Sequence, residues 1–133
     1  MYLQHTHELD NFIDSLNQLT INSSIESISE PYDIETEYSS TWPNNEKAGI
    51  YLFFTSSFEL LYVGKSSHIG SRLNKYFQYS EDKRSGIPID EKSKGSRYII
   101  TIGLLKGYEW LAPSLEEYFI MKLKPVKNKI GNY

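Results

Sequence analysis

The stretch "YVGKSSHIGSRLNKY", Tyr62 to Tyr76, holds two Tyr, a Lys and an Arg in a span that needs only its apolar residues to fold. Lys65 follows Gly64 directly. Arg72 and Tyr76 are four apart, a spacing that shares one face of a helix. Lys65 and Arg72 supply cations for an anionic group, and Arg grips a phosphate in a two-pronged fork. Hydrolysis of a phosphodiester needs such charge at phosphorus, an activated water and a stabilised leaving oxygen. Tyr51 or Tyr62 offers a phenol to hold the water. A phenol acting as base near neutral pH must have its usual value of about 10 lowered by nearby cations. A single carboxylate suits Mg2+, which keeps several waters and takes phosphate oxygens as further ligands.

Competing motifs fail on spacing. "GKS" (Gly64–Ser66) is not a nucleotide phosphate loop, because the Gly required five residues before the Gly-Lys pair is Glu59. His5, His7 and His68 have no partners at metal-ligand spacing, and His68 reads as an ordinary residue at a helix start. The chain has no Cys, so it holds no disulfide and no Cys-bound zinc or iron–sulfur cluster.

The elements that must position these groups follow from periodicity. Leu9, Phe12, Ile13, Leu16 and Leu19 predict an amphipathic helix over residues 8–19. Residues 20–47 are rich in Ser, Glu, Pro and Asn and read as an irregular connection, with a short strand near "YDIETEY". "GIYLFFT" (Gly49–Thr55) and "ELLYVGK" (Glu59–Lys65) read as a hairpin. A turn centred on Ser56 and Ser57 would set Tyr51 directly opposite Tyr62, on the same face. A helix is predicted from about His68 to Gln78, with Ile69, Leu73 and Phe77 as its buried stripe and Arg72 and Tyr76 flanking it. Residues 79–96 are polar and Gly/Pro-marked and predict a mobile loop. "RYIITIGLL" (Arg97–Leu105) is a third strand. "SLEE" predicts a capping box, with Ser114 as N-cap and Glu117 reaching back to it, at the start of a helix that ends before Pro125. The fold expected is α+β: a small, mainly antiparallel three-stranded sheet with flanking helices in the order β-β-α-β-α, preceded by a helical and irregular N-terminal extension.

In that order the residues resemble the GIY-YIG nuclease superfamily. "GIY" (Gly49–Tyr51), then ten residues, then "YVG" (Tyr62–Gly64) resembles its signature. Lys65 follows, Arg72 and Tyr76 match the helix positions, and "LEEYFIMKLKPVKN" resembles the closing pattern through Glu116, Pro125 and Asn128. The resemblance covers about residues 49–128. Val63 replaces the usual Ile, the 79–96 loop is long, and residues 1–47 have no counterpart. The resemblance implies a metal-dependent endonuclease acting on DNA. It implies Tyr51 as base or relay, Glu116 as ligand of Mg2+ or Mn2+, and Asn128 as an orienting hydrogen-bonder near the metal. With Tyr62, Lys65, Arg72 and Tyr76 these make the candidate catalytic set. One such site cuts one strand, so double-strand cleavage calls for a homodimer or two successive events. The rival reading is a catalytically silent nucleic-acid-binding module of the same fold.

Charge distribution agrees with a polyanionic partner better than the total does. The 133 residues sum to −3, yet residues 1–47 carry nine acids and one base while residues 48–133 carry thirteen bases and eight acids. The boundary between an acidic extension (1–47) and a nuclease-like domain (48–133) is accordingly drawn at Lys47. No apolar run approaches a membrane span and the start lacks the order of a signal peptide, which points to a soluble cytoplasmic protein.

Overall fold

The computed structural model describes residues 7–17 and 24–128. Its elements run α1 (His7–Asn17), β1 (Ile25–Ile28), β2 (Tyr32–Asp33), β3 (Gly49–Phe54), β4 (Leu60–Ser66), α2 (Ile69–Leu73), β5 (Phe77–Tyr79), β6 (Gly86–Pro88), β7 (Tyr98–Leu104) and α3 (Ala112–Leu123). Among the described residues no helix is long and apolar enough to cross a membrane.

The apolar runs at 49–54, 60–66 and 98–104 form the three central strands. All pairings are antiparallel, in the order β1–β7–β3–β4, and β2 continues along the β1 side of β7. Every residue of β3 is buried, as a strand covered on both faces requires. On one face Ile50, Leu52, Phe54 and Val63 meet Leu9 and Phe12 of α1 and Leu115, Phe119 and Ile120 of α3. On the other, Tyr51, Phe53 and Tyr62 meet Ile69 and Leu73 of α2, Tyr76, Phe77 and Trp42.

The glycines of "GIY" and "YVG" have steric causes. A Cβ on Gly49 would collide with the Ile102 carbonyl oxygen of β7, and one on Gly64 with the Tyr51 ring. Tyr51 and Gly64 are cross-strand partners, so the ring lies across the space that the missing side chain leaves.

Four local expectations are corrected. The hairpin does not turn at Ser56–Ser57. Phe58, at φ 64°, folds back and stacks on Tyr98 with centroids 4.4 Å apart, which lengthens the connection to Thr55–Glu59. Register moves by two residues, pairing Tyr51 with Gly64 and Phe53 with Tyr62. An even shift preserves face, so Tyr51 and Tyr62 still share one side, now diagonally. Second, the helix after β4 ends at Leu73 rather than near Gln78. Phe77 is drawn into β5, where it meets Trp42 at 5.6 Å and Phe53 at 5.4 Å, and Tyr76 lies in the intervening turn. Third, residues 79–96 hold regular structure where a loop was expected: β5 pairs β6, and residues 90–95 form a hydrogen-bonded turn. Fourth, α3 begins at Ala112 with Pro113 in its first turn. Ser114 lies inside the helix, and no side chain caps the N-terminus.

The N-terminal residues complete the sheet. Leu9 and Phe12 are buried, Glu8 accepts the Leu60 N–H at 3.1 Å, and the Tyr118 hydroxyl donates to the Ser15 carbonyl at 2.7 Å. The expected Leu19 contact lies outside the described residues. β1 and β2 cover the edge that β7 would otherwise leave open. The expected short strand near "YDIETEY" is β2, whose Asp33 is gripped by Arg97 through bonds of 2.8 and 2.9 Å. Burial pushes the Asp33 carboxyl up, but the Arg97 fork outweighs it and holds the group below its ordinary value.

Two stability predictions follow from these contacts. Phe12→Ala, removing a ring 5.6 Å from Phe119 and 6.2 Å from Phe54, should cost about 3–5 kcal/mol in urea unfolding; a loss below about 1 kcal/mol would show that α1 is not part of the core. Asp33→Asn should cost stability at neutral pH. A lowered folded-state value means the contribution is present above the unfolded carboxylate value and lost as pH falls through the folded one. The gap between mutant and wild type in unfolding curves should therefore close in acid.

Candidate active site

β4 carries the site because it is the strand at the sheet's edge. Tyr62 points to the α2 face and is buried, Lys65 leaves the strand near its end and is exposed, and the chain then turns through Ser66–His68 into α2. His68 is accounted for locally: its Nδ1 accepts the Ser71 N–H at 3.2 Å as the N-cap of α2. α2 exposes Arg72 while burying Ile69 and Leu73.

The three phenols form one cluster. The Tyr51 and Tyr76 hydroxyls are 3.1 Å apart, and the Tyr62 ring lies 6.3 Å from that of Tyr51 and 6.4 Å from that of Tyr76. Lys65 reaches across from β4 to Glu116 on α3, with Nζ and Oε1 3.8 Å apart. Lys65 and Arg72 line one cleft of about 230 Å3 together with Ser66, Ser67, Glu109, Ala112 and Pro113. The structure thus brings Tyr51, Tyr62 and Tyr76 into one cluster and Lys65 to both Glu116 and Arg72, beside β4.

Asn128 is bound differently from expectation. Its side-chain oxygen accepts the Val63 N–H and its amide nitrogen donates to the Val63 carbonyl, both at 3.0 Å. Lys127 N–H adds a bond to the Leu61 carbonyl at 2.9 Å. Asn128 thus pairs with the open edge of β4 as a neighbouring strand would, fixing the residue between Tyr62 and Gly64.

The phenols also differ electrostatically from expectation. Burial, then the hydrogen bond to Tyr76, pushes Tyr51 well above the ordinary phenol value. Burial, then the charges of Tyr76 and Glu116, does the same to Tyr62. Arg72 pulls both downward but is outweighed. Desolvation wins because the rings sit in the aromatic core while the guanidinium stays in solvent. The protein's own groups keep both phenols protonated at neutral pH, as hydrogen-bond donors.

Glu116 is the carboxylate of the site. Burial raises it, while Lys65 and Lys92 pull it down. No side chain among the described residues gives it a hydrogen bond, and no three His, Cys, Asp or Glu gather there to cage a metal. A half-buried, under-coordinated single carboxylate fits a hard divalent ion that keeps most of its own waters. Glu117, next along α3, is exposed.

One contributor escaped the sequence reading. Lys92, from the turn before β7, stands with its ammonium 5.4 Å from the centre of the Tyr62 ring. Its only sequence signal was its sign, in a loop expected to be mobile.

A sequence model of the UvrC-like GIY-YIG domain matches residues 47–129. UvrABC system protein C of Dictyoglomus thermophilum is 31% identical over 83 residues, which are 62% of this chain and 13% of that protein. The chain thus spans a small part of that relative's length. No solved structure matches it. The match covers every site residue from Tyr51 to Asn128, and the chain belongs to the GIY-YIG nuclease superfamily through a UvrC-like GIY-YIG domain.

Proposed function

We propose that the protein is a metal-dependent endonuclease that hydrolyses phosphodiester bonds of DNA. One observation carries this reading: Lys65 and Glu116 meet at 3.8 Å on the edge of the strand that also presents Tyr62. A lone cation–carboxylate contact is a common surface feature of little energetic value. A cation pair in one cleft, beside a desolvated carboxylate and three clustered phenols, is suited to a phosphoryl centre.

Each group has a role in such a reaction. Arg72 and Lys65 bind the non-bridging oxygens, where negative charge grows in the transition state. The Tyr51 hydroxyl, hydrogen-bonded to Tyr76, orients the attacking water, and Tyr62 stands on the same side. Arg72 offsets part of the effect of burial on Tyr51, which stays protonated and holds that water as a hydrogen-bond donor. Glu116 would hold Mg2+ or Mn2+, which supplies charge neutralisation at phosphorus. Asn128 acts through β4, keeping Tyr62 and Gly64 in place.

The decisive test is incubation of supercoiled plasmid DNA with the protein and Mg2+ or Mn2+, with and without chelator. Nicked or linear product that disappears with chelator supports the nuclease. A protein that retards DNA but leaves it whole is the silent binding module.

Two substitutions test the assignments. Arg72→Ala should lower cleavage on the order of a hundredfold with an unchanged thermal unfolding curve, because the side chain is exposed. A folded mutant cutting at the wild-type rate would make Arg72 a surface charge. Glu116→Gln should abolish metal-dependent cleavage yet keep or strengthen DNA binding, since one negative charge leaves the site. Glu117→Gln should retain activity and stability, because it points about 100° away on the helix. If Glu117→Gln were inactive and Glu116→Gln active, the metal assignment would fall.

A further inference from the structure

The turn over residues 90–95 is held by groups that belong to the site or adjoin it. The buried Ser93 hydroxyl donates to the Tyr76 carbonyl at 2.9 Å and accepts the Asp90 N–H at 3.1 Å. The Asp90 carboxylate accepts the Lys92 N–H at 2.8 Å. From the other side the Lys127 ammonium donates to the carbonyls of Glu91, at 2.7 Å, and Lys94. Lys127 is the neighbour of Asn128, which pins Val63. The turn is therefore tied to Tyr76 at one point and to the support of Tyr62 at another.

A surface turn needs no such anchoring to stay soluble. What it presents is Lys92, exposed, over the Tyr62 ring. The other cations nearby are committed: Lys94 pairs with Glu91 at 3.4 Å, Arg97 with Asp33, and Lys127 with two carbonyls. Lys92 has no ion pair among the described residues, although its charge acts on Glu116. A lysine without an ion-pair partner, its backbone held by Asp90 and its ammonium over a phenol ring, is a point charge held ready for an anion. Tyr62 and Lys65 are three residues apart on β4, about 10 Å along the strand. Lys92 and the Lys65–Arg72 pair thus place positive charge at two separate points along that edge.

Resting on the nuclease reading, we infer that Lys92 is a substrate-binding residue of this site, its ammonium contacting a phosphate of the bound DNA strand at the Tyr62 end of β4. The 90–95 turn then serves to present Lys92 to the DNA, and Lys127 and Ser93 are positioning residues.

The test compares wild type, Lys92→Ala, Lys92→Arg and Lys94→Ala as full-length chains. A fluorescein-labelled DNA duplex is titrated at several salt concentrations, and cleavage kinetics are measured with Mg2+. Lys92→Ala should weaken binding about tenfold and raise KM in step. It should also reduce the slope of log affinity against log salt by about 0.9, the signature of one lost phosphate contact. Lys92→Arg should restore most of both, and Lys94→Ala should match the wild type. Wild-type affinity and slope in Lys92→Ala would overturn the assignment. So would an affinity loss with an unchanged slope shared by Lys94→Ala, which would indicate a loosened turn. A wild-type protein that neither binds nor cuts DNA would overturn the nuclease reading itself, and this assignment with it.

Discussion

The register between β3 and β4 is the constraint from which the site follows. It places Tyr51 opposite Gly64, where the ring occupies the volume of an absent side chain. That contact brings the Tyr51 hydroxyl to Tyr76 and leaves Tyr62 on the same side. Slippage by one residue would turn Tyr62 to the α1–α3 face and carry Lys65 away from Glu116. One feature at the far end of the hairpin bears on the register: Phe58 leaves solvent to stack on Tyr98, fixing the length of the connection. Hydrophobic burial of one loop residue thus sets the alignment of the candidate-site groups several residues along the strand.

An active strand at a sheet edge is exposed to unwanted pairing. Here the edge is closed by the chain's own C-terminal segment. Lys127 N–H and both ends of the Asn128 amide satisfy main-chain groups of Leu61 and Val63. The same two residues reach outward: the Lys127 ammonium gathers the carbonyls of the 90–95 turn. Strand edge, turn and phenol cluster are therefore one hydrogen-bonded unit, and disturbance of the 127–128 segment would be felt at Tyr62 and Lys92 together.

What the sequence made legible was what depends on spacing. The three central strands, the candidate residues and the end of α3 before Pro125 follow from period and motif. What it hid depends on contacts distant in the chain. Phe58 reads as a turn residue until Tyr98 is beside it. Phe77 fits a helical stripe with Ile69 and Leu73, and leaves it only because Trp42 and Phe53 form a better site. The capping box at Ser114 is locally sound, but the chain enters the helix earlier, through Leu111 and Pro113. β1 is nearly unreadable, its four residues alternating half-buried and exposed against the open edge of β7. The phenols show the same limit. Sequence places cations near them, but only the fold reveals that burial outweighs those cations.

Net charge is a poor guide to what this edge attracts. Glu30, Asp33 and Glu35 lie on or beside β1 and β2, with β7 and β3 between them and β4. Three strand spacings are about 14 Å, beyond the Debye length of about 8 Å at physiological salt. Asp33 and Glu35 are further offset by Arg97, at 2.8 and 3.5 Å. At the β4 edge the balance is reversed, with Lys65, Lys92 and Arg72 against the carboxylates of Glu116 and Glu109. A polyanion approaching within a Debye length meets that local excess rather than the chain's total of −3. The sheet thus keeps Glu30, Asp33 and Glu35 at the far edge, where they do not cancel the field at the site.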